Sequence, residues 1–143
     1  MKKTLLIFTT LLTFALNAYA DGAKHVAGTV FLPHPMKVLL ANFEDFKITP
    51  KQEKQINTLV SIVPPKLHPM MDEARVLQHK IKKDVMKHKS DLKTVSSDLK
   101  KLESLKRKIT HIQINAINKI QKILTNTQYI HLLVKLKANK ICG

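Results

Sequence analysis

This chain predicts an all-α fold of four to five helices with one long central helix, and three observations carry that prediction. Glycine occurs only three times, at Gly22, Gly28 and Gly143, so the interior lacks the turn chemistry an all-β fold needs. From Leu92 to Ile123 apolar residues recur every three or four positions without a proline or glycine. Two segments, Ile48-Thr49-Pro50-Lys51-Gln52 and Leu124-Thr125-Asn126-Thr127-Gln128, each place a threonine three residues before a glutamine. That spacing is a capping box: the Thr hydroxyl accepts from the Gln backbone N–H, and the Gln side chain reaches back to the Thr N–H.

In chain order, residues 1–20 carry the pattern of an export signal. Lys2 and Lys3 precede an apolar stretch from Thr4 to Leu16, and Ala18-Tyr19-Ala20 supplies a small-x-small cleavage pattern before Asp21. The apolar run is too short for a comfortable membrane span, so the expected product is a periplasmic protein beginning at Asp21. Residues 21–35 form an irregular arm closed by Pro33 and Pro35. Val38, Leu39, Phe43 and Phe46 predict a short amphipathic helix over 36–46. Pro50, tolerated in a first turn because its missing N–H is an orphan there, opens a second helix that Pro64-Pro65 should end after Val63.

A third helix is expected from near Pro69 to Lys89, with Met70, Ala74, Leu77, Ile81 and Val85 on one face. Ser90 and Asp91 offer a cap for the long helix, roughly 48 Å at 1.5 Å per residue. The final helix opens at Thr125 and carries Tyr129, Ile130, Leu132, Leu133 and Leu136. The helical domain is thus set at 36–138, with 139–143 as a tail. A rod that long needs an apolar partner, and a second copy in a two-fold, antiparallel arrangement supplies one. The expected assembly is an elongated, cradle-like dimer; a kink near Ser90 to Ser97 would permit a compact monomer instead.

The formal charge of +15 falls to +13 once Lys2 and Lys3 leave with the signal, and only Arg75 and Arg107 of the basic residues are arginines. Lysine gives a diffuse positive field, whereas arginine dominates bidentate phosphate and base recognition. With no tryptophan and few aromatics to stack on bases, nucleic acid is a poor partner. Acidic or partly unfolded polypeptides, or anionic head groups, fit the charge better.

The paired motifs, the context before each (Asn42-Phe43-Glu44-Asp45-Phe46 and Asn118-Lys119-Ile120-Gln121-Lys122-Ile123), the export signal and the basicity together resemble the Spy/CpxP family of periplasmic proteins, whose signature is a repeated Leu-Thr-x-x-Gln. The first copy carries Ile48 where the signature has leucine; the second matches throughout. The resemblance implies an ATP-independent chaperone, a cradle-shaped dimer that binds unfolded or aggregation-prone envelope proteins on a basic, partly apolar concave surface as part of a stress response. It also implies, for some members, restraint of a sensor kinase through its periplasmic domain. Ile48, Thr49, Gln52, Leu124, Thr125 and Gln128 are then architectural. Candidates for client binding are Lys80, Lys82, Lys83, Lys87 and Lys89, with Lys100, Lys101, Lys106, Arg107 and Lys108.

A second reading is metal binding. His34-Pro35-Met36 and His68-Pro69-Met70-Met71 share a His-Pro-Met triplet, and imidazole with thioether is a ligand set for copper; zinc is the other candidate. No His-x₃-His or Cys-x₂-Cys spacing fixes a tight site. His79, His88 and Met86 lie further along, and His111 and His131 are isolated. Catalysis has little support: the carboxylates are scattered, and no serine sits in a Gly-framed elbow. Cys142, the single cysteine, cannot form an internal disulfide but could link two chains, be capped or, with only Lys140 nearby to lower its pKa, act as a redox nucleophile.

Overall fold

The computed structural model describes residues 28–30 and 32–141, with side chains as far as Ala138. The signal pattern of residues 1–20, most of the arm and Cys142 lie outside the described residues. Among the described residues all regular structure is helical, without strands. Helix α1 spans Pro35–Ala41 and is followed by a 3-10 turn at Glu44–Phe46; α2 spans Pro50–His88, α3 Leu92–Ile123 and α4 Asn126–Ile141.

Two expectations are corrected. Pro64-Pro65 does not end a helix, and no new one begins near Pro69: a single helix of 39 residues contains all three prolines. Each proline deletes a rung of the N–H ladder, but its fixed φ is itself helical. Leu59 and Leu67, buried on either side of the Pro64-Pro65 pair, supply the packing that outweighs the missing rungs. There are consequently two long helices, since α3 has 32 residues. The predicted 36–46 helix is α1 and the 3-10 turn, and α4 reaches three residues past the expected boundary at 138.

The chain divides into two compact bodies. The first takes its described part from Pro33–Val60 and from residues 120–141, bringing together α1, the start of α2, the end of α3 and α4. Its core contains Leu39, Phe46, Ile56, Ile120 and Leu132, with Met36, Phe43, Ile48 and Tyr129 packed around it. Full burial of each such aliphatic or aromatic side chain contributes about 1.5–3 kcal/mol. Asn42 ends α1, its side-chain amide donating to the Val38 carbonyl at 2.8 Å.

The second body comprises Ser61–Lys119 with the arm residues around Gly28. Here α2 returns through a three-residue connection into α3 as a helical hairpin. Leu67, Ala74, Leu77, Leu102, Leu105 and Ile109 form its core. Lys101 pairs with Glu73 at 2.7 Å, and Lys80 bridges Asp84 and Asp98, so charges on the hairpin's flank align the two helices. Exposed pairs of this kind set register more than they stabilise. Asp91 caps α3, accepting from the Thr94 N–H at 2.9 Å and from its hydroxyl at 2.6 Å.

Candidate functional site

In the first body the two Thr-x-x-Gln segments meet. Each forms its own box: the Thr49 N–H donates to Gln52 Oε1 at 3.0 Å and the Gln52 N–H to Thr49 Oγ1 at 3.3 Å. In the second copy the Thr125 N–H donates to Gln128 Oε1 at 2.8 Å, and the Gln128 N–H to Thr125 Oγ1 at 3.3 Å. The glutamines then cross over. Gln52 Nε2 donates to the Ile123 carbonyl at 2.9 Å, and Gln128 Nε2 to the Phe46 carbonyl at 2.9 Å. The two amides also bond one another, Gln52 Nε2 to Gln128 Oε1 at 2.8 Å, with the reverse contact at 3.3 Å.

This chemistry explains the choice of glutamine. Glutamate would close a box equally well, since only an acceptor is needed there. Satisfying the carbonyl that ends the preceding segment requires a donor from the same side chain, and only the amide has both. Each glutamine thus ties the start of its own helix to the end of the segment preceding the other. Gln52 is buried at 8 % exposure, and the bonds that cross between the two segments are part-buried, which limits competition from water. Ile48 packs at the edge of the same core.

Around this clasp, Phe46 stacks on His131 with ring centroids 4.8 Å apart, placing that histidine in packing. Lys135 reaches Asp45 at 2.6 Å and Asn42 at 3.1 Å, and its hydrogen bond and charge hold the Asp45 carboxyl below its usual range. On its other side α4 is apolar and exposed: Ile130 is 53 %, Leu133 41 % and Val134 59 % accessible.

The client-binding candidates all fall in the second body and divide by circumstance. Lys80 and Lys101 are occupied, the former by Asp98 and Asp84, the latter by Glu73; those hydrogen bonds raise both ammonium pKa values. Lys82, Lys83, Lys87, Arg107 and Lys108 are exposed. Lys106 and Arg107 line a recess of about 390 Å³ together with Glu103, Gly28 and Thr29. The arm is fixed there by Thr110, whose hydroxyl accepts from the Thr29 N–H at 2.8 Å and donates to the Lys106 carbonyl at 3.0 Å.

For metal, His34 and Met36 belong to the first body and His68, Met70 and Met71 to the second. Met36 packs against the first core, and Met70 and Met71 against the second. Among the described residues no group of three or more His, Cys, Asp or Glu is placed to hold an ion. No helix among them is long and apolar enough to cross a membrane. Comparison with family models, curated proteins and solved structures finds no match for this chain.

Proposed function

We propose that this protein is a periplasmic, ATP-independent chaperone of the Spy/CpxP type, holding unfolded or aggregation-prone envelope proteins on basic surfaces studded with apolar side chains. One observation carries the reading: large aliphatic side chains stand exposed beside lysines in both bodies. Ile130, Leu133 and Val134 do so on α4, and Val76, Val85, Met86 and Leu92 on the hairpin. Support also comes from the interlocked Thr-x-x-Gln boxes, the motif on which the family resemblance rests. Lysines draw an acidic client over distance, and aliphatic contacts then hold its exposed apolar segments weakly. Release follows from fast exchange as the client buries those segments. A homodimer presenting a concave, cradle-like face belongs to this proposal, with mass by sedimentation as its check; a strictly monomeric protein at micromolar concentration counts against it.

The test of function is suppression of aggregation of an unrelated unfolded protein at near-equimolar ratio. The wild type should suppress it, and a triple Ile130→Ser, Leu133→Ser, Val134→Ser variant with unchanged helicity should suppress it less. An inactive wild type that binds one sensor domain tightly overturns the chaperone reading in favour of a stress-sensing regulator.

A further inference from the structure

We infer that the tip of the α2–α3 hairpin is a docking surface for an anionic lipid bilayer. In the twelve residues 82–93 all but Asp84 and Ser90 are exposed, so the tip is largely open to solvent. Three apolar side chains bracket the connection: Val85 at 43 %, Met86 at 73 % and Leu92 at 71 % accessible. Five lysines, Lys82, Lys83, Lys87, Lys89 and Lys93, surround them, all exposed. Of the two acids, Asp84 is paired with Lys80 outside the tip, and Asp91, bonded to the neutral Thr94, keeps its charge and offsets one of the five lysines, leaving a clear positive excess.

The chemistry favours a bilayer over a protein partner. Protein interfaces concentrate aromatic side chains and arginine in their buried centres and are depleted in lysine. Residues 76–98 contain no Trp, Tyr, Phe or Arg. Lysines around a few aliphatic side chains instead match a head-group plane: the ammonium groups meet phosphates while their stems and the aliphatics enter the acyl boundary. An end-on contact at a helix–turn–helix tip requires no spanning segment. The inference stands on the tip alone and does not depend on chaperone activity.

The experiment uses the full chain with Cys142→Ser and an environment-sensitive fluorophore on Met86→Cys. The control label sits on Lys66→Cys, an exposed position of the same helix. Vesicles are either pure phosphatidylcholine or one third phosphatidylglycerol. The expected result is a blue shift at position 86 with anionic vesicles only, and none at position 66. Lys83→Gln with Lys87→Gln should weaken binding about 25-fold, since each lysine near an anionic surface is worth about five-fold. Vesicle binding that leaves the label at 86 silent overturns the inference, because another segment then makes the contact. An equal response to neutral vesicles overturns it too. So does a shift produced by an acidic unfolded polypeptide, or by raising protein concentration without lipid, when anionic vesicles produce none.

Discussion

Removing the Gln52 side chain should cost far more than losing an ordinary helix cap. Gln52→Ala opens the first box, worth about 1 kcal/mol in a typical cap. It also strips the part-buried Ile123 carbonyl of its donor at 2.9 Å and removes one of the two donors to Gln128 Oε1, leaving it the Thr125 N–H at 2.8 Å. A buried polar group left unsatisfied costs about 1–3 kcal/mol, so the total should reach about 3 kcal/mol. A loss of that size lowers the thermal midpoint by about 10 °C in a domain of this length. Helical circular dichroism during urea and thermal unfolding measures it. Gln128→Ala should cost nearly as much, and the double variant less than the sum, with a coupling of about 1–2 kcal/mol because the amides share bonds. Gln52→Glu separates capping from clasping: the box acceptor survives, but a carboxylate now faces the Ile123 carbonyl. Its deficit should shrink as pH falls and the neutral carboxyl gains an O–H to donate. Losses under about 1 kcal/mol, or strict additivity of the two alanine variants, would refute a cooperative clasp.

Three further outcomes follow from other positions. A Cβ on Gly28 would lie 2.4 Å from Thr110 Oγ1, which is already held between two backbone groups, so Gly28→Ala should lift the arm off α3 at about 1–3 kcal/mol; faster hydrogen exchange at the Thr29 amide reports it. Pro69→Ala restores an N–H opposite the Pro65 carbonyl on an exposed face and should raise stability by about 2 kcal/mol in urea unfolding. The Thr94 hydroxyl and then its N–H bond the charged Asp91 carboxyl and hold its titration below the ordinary carboxylate pH. Its contribution is therefore complete above that pH and disappears as pH falls through the lowered value, a step in the thermal midpoint that Asp91→Asn should abolish.

What was legible in the chain were features that local spacing determines. Both capping boxes lie in five-residue windows, and the long α3 helix follows from an uninterrupted apolar period with Asp91 at its head. The prolines misled because a missing N–H is a local signal, whereas burial of Leu59 and Leu67 around them is a tertiary one. The reach of Gln52 to Ile123 was hidden for a different reason. A capping box accounts fully for the glutamine oxygen, so nothing prompts a search for what the nitrogen does. The available hint was that both copies use the amide where a carboxylate would cap as well. The hold of Thr110 on the arm had no such signal, since a threonine within a helix commonly bonds back to its own backbone, as this one also does.

The exposed face of α4 sets a limit on how such a protein can hold anything. Ile130, Leu133 and Val134 are each about half accessible, so covering them completely recovers roughly half of the 1.5–3 kcal/mol that full burial of each provides, or about 3 kcal/mol in all. Ordering a flexible chain against the surface takes part of that away. One such face alone therefore binds no tighter than the millimolar range. Useful affinity needs several patches engaged at once, with lysines raising the encounter rate and the effective concentration between patches supplying the remainder. Under the chaperone reading weak individual patches become an advantage, because a client that folds withdraws its apolar segments one at a time and each loss is small. A variant that enlarged any single patch, such as Val134→Phe, should accordingly lengthen client residence and slow release, while scarcely changing the rate of capture.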